Sequence, residues 1–441
     1  MLIIAVAAGL YMAWNIGAND VANAMGTSVG SRALTLRGAV VLAAIFEFSG
    51  ALFVGSHVTD TIRKGIVDVD RLRAAVESRE GPPPAPAASA PATAPALSAP
   101  HAGWSDRHLR EELMIGMLAA ILGAAAWINI ATFFAQPVST THAIVGSVIG
   151  FAVVSAGPGA VFWGAVGRIA ASWVVSPVAG LIMAFLIYKA VQKLVLSSRH
   201  PVFMARRAVP LTVGLVGFIL GLSIFYDLFR MRGGGIWLAL PAAAAAGAAA
   251  GWIAQVILGR TMARKRVRLK DRYIVVERWF GRIQIATACY MAFAHGANDV
   301  ANAIGPLAAV VHFAGGGKIA GSAPVPLWLL ALGGVGIVVG LGTYGYKVIR
   351  AIGEKITEIT PTRGFAAQFS TASTVLVCSL MGLPISTTFV LVGAVMGVGL
   401  ARGFGALDLK VIRRIFASWV VTIPVSAGLA GVFYHVLAAV L

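Results

Sequence analysis

The sequence predicts an all-α polytopic membrane protein with about 12 membrane segments, in which two repeats of inverted topology, five spans each, are joined by two connecting helices. Two observations support this fold class. Hydrophobic residues make up 58% of the chain and charged residues only 12%, well below the charged fraction of about 25% that is usual in soluble domains. Three sequence blocks also recur in the same order in the two halves of the chain.

The repeated blocks indicate an internal duplication. The pairs are residues 17–24 with 296–303 (both GANDVANA), 137–150 (PVSTTHAIVGSVIG) with 384–397 (PISTTFVLVGAVMG), and 168–175 (RIAASWVV) with 414–421 (RIFASWVV). The first two blocks lie further apart in the first copy than in the second. A Pro- and Ala-rich stretch at about 81–103 accounts for the difference, and its composition predicts a disordered loop inserted into the first repeat.

Apolar stretches long enough to cross the hydrocarbon core as helices define the spans. The first begins near Met1, and the others are 38–58, 113–134, 138–154, 161–190, 211–229, 236–258, 283–303, 327–348, 366–381, 384–400 and 411–440. The expected organisation is a first repeat at 1–190, two connecting helices within 209–259, a basic cytoplasmic loop at 260–282 and a second repeat at 283–441. The short spans that follow the prolines are expected to be re-entrant helices.

The distribution of Lys and Arg predicts the orientation. An odd number of spans per repeat and an even number of connecting helices place the second copy in the membrane upside down relative to the first. The odd-numbered loops carry most of the Lys and Arg, so we expect them in the cytoplasm and both termini outside. The net charge of +18 therefore reflects loops that flank a cell inner (plasma) membrane and does not indicate a nucleic-acid partner.

Asp20 and Asp299 are ionisable groups inside apolar spans, where each is expected to cost about 2.5–3.5 kcal/mol at mid-membrane. Asparagines flank both at equivalent positions: Asn19, Asn23, Asn298 and Asn302. Carboxylate and amide oxygens on neighbouring turns predict a site for a small cation. The alternative is that the asparagines form only interhelical hydrogen bonds.

The second repeated block places three hydroxyls directly after a proline in each copy: Ser139, Thr140, Thr141, and Ser386, Thr387, Thr388. Proline suits the first turn of a helix, where backbone N–H groups have no intrahelical partner. A helix start of this kind inside the membrane predicts an anion site. The alternative is simple N-capping by Ser139 and Ser386.

The repeated motifs supply carboxylates, amides and hydroxyls but no cationic side chain. Ionised Asp20 and Asp299 would repel an anion unless cations or protons bind with it, so the sequence predicts coupled symport rather than an enzyme, without a prosthetic group. Glu47 and His142 are further candidates for coupling, although the second copy has Ile337 and Phe389 in their places. Glu47 could instead pair with a helix neighbour. His295 adjoins the second motif and is also unmatched.

The two GANDVANA motifs, the GTSVGSRAL sequence at 26–34 and the paired PVSTTH and PISTT motifs resemble the inorganic phosphate transporter (PiT) family. The resemblance implies a symporter for inorganic phosphate, coupled to Na⁺ or H⁺, that works by an elevator-like shift of a core domain in the lipid bilayer. A homodimer is compatible with it. By motif, it assigns Asn19, Asp20, Asn298 and Asp299 to the cation, and the six hydroxyls with Asn23 and Asn302 to phosphate.

Other hypotheses remain open at this stage. The family includes members that carry sulfate, and some bacterial members resemble proton-driven carriers of metal-phosphate complexes. A phosphate sensor would bind the anion without moving it. An intramembrane hydrolase could use Ser139 with His142, but the second copy lacks the histidine.

Overall fold

The computed structural model describes residues 1–80, 100–134, 136, 138–230, 235–262, 271–317, 325–345, 360–403 and 409–441. Most of the predicted Pro/Ala loop, part of the basic loop and Pro137 lie outside these residues. The helices are α1 Leu2–Gly30, α2 Leu36–Val54, α3 Ser56–Lys64, α4 Val69–Glu80, α5 Pro100–Phe133, α6 Thr140–Ala156, α7 Trp163–Val191, α8 Pro201–Arg230, α9 Gly235–Met262, α10 Arg272–Ala314, α11 Leu327–Gly340, α12 Pro361–Leu380, α13 Thr387–Arg402 and α14 Leu409–Val440. The described part of the chain is thus all-helical, as the sequence predicts.

Eight of the described helices are long and apolar enough to cross a membrane: α1, α2, α5, α7, α8, α9, α11 and α14. The other four predicted spans fall on helices that do not meet this criterion. Helices α6 and α13 are apolar but short, and α10 and α12 carry polar side chains that are buried inside the protein. Large side chains such as Leu211, Trp237 and Trp252 are exposed on the two connecting helices, α8 and α9, as expected for surfaces that face lipid.

Several boundaries differ from the sequence prediction. Helix α10 begins at Arg272, inside the predicted basic loop at 260–282, and continues to Ala314, beyond the predicted span at 283–303. The second span ends at Val54 instead of continuing to residue 58, because the chain starts a separate helix, α3, after Gly55. The predicted loop at 81–103 is too long at its C-terminal end, because α5 begins at Pro100. Proline is well suited to the first position of a helix, since its missing N–H would have no intrahelical partner there.

The motif helix of each repeat packs against the second helix of the other repeat. Helix α1 lies against α11, and a Cβ on Gly17 would be 1.9 Å from the carbonyl oxygen of Ile337. In the other direction α10 lies against α2, and a Cβ on Gly296 would be 2.0 Å from the carbonyl oxygen of Glu47. Only glycine allows two backbones to approach this closely. Glu47 and Ile337 therefore occupy equivalent places relative to the opposite repeat.

The short helices also pack on the opposite repeat: α6 of the first repeat packs on α14, and α13 of the second repeat packs on α7. The first repeat also contains α3 and α4, which have no counterpart among the described residues of the second. Helix α3 covers the C-terminal half of α10, where Ile62 lies against Gly305, and α4 packs on α5 and α6. Ile62 and Leu72 belong to the same buried apolar cluster as Leu307, so this end of the protein is closed by tightly packed apolar side chains.

Candidate functional site

Helices α1 and α10 cross so that the two GANDVANA motifs meet at the centre of the protein. Carboxylate oxygens of Asp20 and Asp299 and a ring nitrogen of His295 all lie within 4.8 Å of one another. All three side chains are buried. The two carboxylates predicted from separate halves of the sequence thus form a single cluster.

Each carboxylate is held by the helix start of its own repeat. Thr140 Oγ1, at the beginning of α6, donates a hydrogen bond of 2.7 Å to Asp20 Oδ2. Thr387 Oγ1, at the beginning of α13, donates an equivalent bond of 3.0 Å to Asp299 Oδ2. The first threonine of each Ser-Thr-Thr sequence is therefore directed at an acidic side chain, and both helix N-termini open onto the cluster.

The second threonine of each triplet contacts the opposite repeat. Asn23 Nδ2 donates to Thr388 Oγ1 over 2.8 Å, and Asn302 Nδ2 donates to Thr141 Oγ1 over 3.1 Å. The two contacts are equivalent by the duplication, because Asn23 corresponds to Asn302 and Thr141 to Thr388. The two halves therefore share one site in which each completes the other.

Asn19 and Asn298 make different contacts although they are equivalent in sequence. Asn19 Nδ2 donates to Thr132 Oγ1 at 2.6 Å, whereas Asn298 Nδ2 donates to Asp299 Oδ1 at 2.7 Å and to the carbonyl oxygen of Ile385 at 2.8 Å. The carbonyl oxygens of the Asn19 and Asn302 side chains are buried without a hydrogen-bond partner among the described residues. Unpaired amide oxygens beside two carboxylates are suitable ligands for a hard cation.

Ser139 and Ser386 act as N-caps. Their hydroxyl oxygens accept hydrogen bonds from the backbone N–H groups of His142 and Phe389, over 3.2 Å and 3.3 Å. The capping alternative thus describes these two serines in this structure, and the four threonines make the contacts to the motif carboxylates and amides. In the hydrolase hypothesis the Ser139 hydroxyl would pair with the His142 imidazole, but here its oxygen caps the helix. The His142 ring packs on Trp173 and Phe389, with centroids 3.8 Å and 4.3 Å away.

Glu47 lies close to this site through His295, which the sequence marked only as a histidine beside the second motif. His295 Nδ1 is 3.1 Å from Glu47 Oε1, and His295 Nε2 is 2.7 Å from Asp299 Oδ2. Among the residues that the structure describes, His295 is the basic side chain in contact with these carboxylates. The spacing of four residues between His295 and Asp299 places both on one helix face and was the available signal for this contact. The sequence could not show that Glu47 reaches the same face from α2.

The family model described as "Phosphate transporter family" matches residues 16–430. The chain belongs to this family. A Pyrococcus furiosus protein named as a phosphate permease is 41% identical over 440 residues, which cover 99% of this chain and 96% of the relative. The chloroplastic inorganic phosphate transporter 2-1 of Arabidopsis thaliana is 42% identical over 459 residues, which cover 98% of this chain and 71% of the relative.

A solved structure of a sodium-dependent phosphate transporter matches this family member with a TM-score of 0.85 and 39% identity, covering 100% of this chain and 99% of the other. The resemblance found in the motifs is therefore confirmed. The protein is a multi-pass membrane protein of a transporter family, which agrees with the prediction that it is not an enzyme.

Proposed function

We propose that the protein is a secondary active symporter that takes inorganic phosphate across the membrane together with Na⁺. In this proposal a single site, formed by both repeats, is exposed alternately to the two sides. The observation that carries the proposal is the reciprocal joining of the two halves, in which each motif asparagine contacts a threonine at the helix start of the other repeat.

Phosphate is expected to bind at the starts of α6 and α13. There, first-turn N–H groups and the positive ends of two helix dipoles favour an anion. The Thr388 hydroxyl can donate to its oxygens. The hydroxyls of Thr140, Thr141 and Thr387 now donate to Asp20, the Ile385 carbonyl and Asp299, and they would rotate to donate to phosphate. Ser139 and Ser386 are expected to position these turns as caps. The amides of Asn23 and Asn302 lie within hydrogen-bond distance of the same hydroxyls, so they are expected to complete the phosphate site.

The cation is expected between the motif carboxylates, with Asn19 and Asn298 beside them. Oxygens of the two carboxylates lie within 4.8 Å of each other, so if both are ionised they repel each other by at least about 3.5 kcal/mol at an effective dielectric constant of about 20. Their field would also repel phosphate. A bound Na⁺ would neutralise part of this charge, so the cation and phosphate should bind cooperatively. This mutual dependence is the physical basis of coupling in the proposal.

Contacts between the motif helices favour the inverted arrangement of the repeats. Asp20 on α1 lies near Asp299 on α10, whereas further along α1 Ser31 donates a hydrogen bond to Gln284, which precedes Asp299 on α10. The two helices therefore run antiparallel, as equivalent helices of oppositely inserted repeats can. We include in the proposal an inner-membrane location with both termini outside, and a homodimer as the assembly to test.

A proton is the alternative coupling ion, and the Glu47–His295–Asp299 contacts favour it because they form a buried chain of titratable groups next to the site. Sulfate or a metal-phosphate complex would bind through the same tetrahedral oxyanion chemistry.

Uptake of labelled phosphate into proteoliposomes tests these alternatives, with an imposed sodium gradient in one arm, a proton gradient in another, and excess sulfate as competitor. Uptake that follows sodium and is unaffected by sulfate supports the proposal. Uptake that follows only the proton gradient would show that the coupling ion is H⁺. Uptake that excess sulfate abolishes would show that the site also accepts sulfate, so phosphate would not be its specific substrate. Phosphate binding without uptake under any gradient would indicate a sensor.

A further inference from the structure

A second buried polar cluster lies next to the central site, where the C-terminal half of α1 meets α10 and α12. Its centre is Gln368 on α12. Gln368 Oε1 accepts hydrogen bonds from Ser28 Oγ at 3.1 Å and from Thr287 Oγ1 at 3.3 Å, and Gln368 Nε2 donates to the carbonyl oxygen of Ala24 at 2.8 Å. One amide side chain thus connects three helices inside the protein.

A second glutamine extends this group towards the end of α1. Gln284 Oε1 accepts a hydrogen bond of 2.7 Å from Ser31 Oγ. Gln284 Nε2 and Thr27 Oγ1 are buried and have no hydrogen-bond partner among the described residues. We call the set the glutamine cluster: Thr27, Ser28, Ser31, Gln284, Thr287 and Gln368. Buried polar groups are normally paired. The unpaired Gln284 amide nitrogen, together with the unpaired Thr27 hydroxyl one residue before Ser28 on α1, therefore indicates a place for a polar ligand.

The glutamine cluster lies between the central site and the exposed end of α1. Thr27 follows Asn23 by one helical turn, and the eight residues from Asn23 to Ser31 span about 12 Å at 1.5 Å per residue. Thr27 and Ser28 are buried, Ser31 is half-buried and Gly30 is exposed. In the predicted orientation this end of α1 faces the cytoplasm.

The duplication provides an internal comparison, because each member of the cluster has a counterpart at the opposite end of the α1–α10 pair. With Asp20 aligned to Asp299 and Ser139 to Ser386, the counterparts are Pro306, Leu307, Val310, Ala5, Ala8 and Ile121. All six are apolar and buried, and all except Pro306 belong to the buried cluster that α3 and α4 cover. The same six positions are therefore polar at one end of the site and apolar at the other.

We infer that the glutamine cluster is a second, weaker binding site for phosphate on the transport route, between the central site and the end of α1. This inference rests on the proposed function. The Gln284 amide and the Thr27 hydroxyl offer hydrogen-bond donors to phosphate oxygens, and the cluster contributes no charge that would hold the anion tightly. The apolar counterparts offer no donors, so the opposite end has no equivalent site for the anion.

Replacement of the two amides by an apolar side chain of similar size tests the inference. In Gln284→Leu and Gln368→Leu, sodium-driven phosphate uptake should fall about tenfold, whereas the affinity of the detergent-purified variant for phosphate in sodium should change less than about twofold. Gln284→Asn, which keeps the amide, should recover part of the rate. Retained phosphate binding shows that a variant is folded. Wild-type uptake rates in both Leu variants, or an equal loss of binding and uptake, would overturn the inference.

Cysteine accessibility tests the asymmetry directly. In a background with Cys289 and Cys378 replaced by alanine, Ser28→Cys should react with a membrane-impermeant thiol reagent from one side only, and phosphate with sodium should slow the reaction. The matched control is its counterpart, Leu307→Cys, which should not react from either side. Equal labelling of both positions, or none at Ser28→Cys, contradicts the inference.

If the wild type binds phosphate without transporting it, the proposed function itself is wrong. If the wild type transports phosphate and the variants match it, only the second site fails.

Discussion

Asp20→Asn is the sharpest test of the central site, because it removes one charge and keeps the local hydrogen bond. Asp20 Oδ2 accepts a hydrogen bond from Thr140 Oγ1, and an amide oxygen can accept the same bond. Asp299 is a less clean position for this change, since Asn298 Nδ2 donates to its other oxygen and an introduced NH₂ group can face that donor. The perturbation at Asp20 is therefore mainly electrostatic.

The expected loss of sodium affinity follows from the removal of one negative charge beside the bound cation. Two unit charges about 4 Å apart interact with about 4 kcal/mol at an effective dielectric constant of about 20. Since about 1.4 kcal/mol corresponds to a tenfold change in affinity, sodium affinity should fall by roughly 10²- to 10³-fold. The repulsion between Asp20 and Asp299 is present with and without sodium, so it does not offset this loss. Its removal should leave the sodium-free variant at least as stable as the wild type.

The assay is a sodium titration of phosphate binding by the purified protein, paired with uptake in proteoliposomes. Asp20→Asn should bind phosphate weakly at sodium concentrations that saturate the wild type, and coupled uptake should be lost. Thermal unfolding without sodium serves as the control for folding. A sodium midpoint within about twofold of the wild type, in a folded variant, would refute the assignment of Asp20 to the cation.

Three further predictions concern the site and the repeat interface. Thr141→Val and Thr388→Val should each weaken phosphate binding by about tenfold, and a much larger effect of one than of the other would argue against a shared site. Glu47→Gln removes the charge that faces the buried histidine and should lower the maximal uptake rate by about tenfold with little change in sodium affinity; a change in sodium affinity alone would place Glu47 at the cation. Gly17→Ala would put a Cβ 1.9 Å from a backbone oxygen, so it should lower stability by at least about 1–3 kcal/mol. The same change at Gly167, where an added Cβ would have nothing within 4 Å, should leave the melting temperature nearly unchanged.

The sequence by itself determined the membrane class, the duplication and the polar motifs. These properties depend on short stretches of sequence. The length of an apolar run predicts a membrane span, and a repeated octapeptide can be recognised without knowing which residues contact it in the fold. Asp20, Asp299 and the two Ser-Thr-Thr triplets could therefore be selected before the fold was known, and the structure places both motifs together. The two serines illustrate the limit, because capping and anion binding demand the same residue at the same helix position.

Only the tertiary structure decided which helix faces meet. The contact of His295 with Glu47 depends on how α2 packs on α10, and that packing is set by a backbone approach at Gly296. The pairing of Asn23 with Thr388 likewise joins residues far apart in the chain. The contrast between the glutamine cluster and its apolar counterparts became visible only when the crossing of α1 and α10 showed which positions lie on opposite sides of the site. Side-chain identity is local, but the distance between two side chains depends on the crossing and rotation of whole helices, which the close packing of both repeats fixes together.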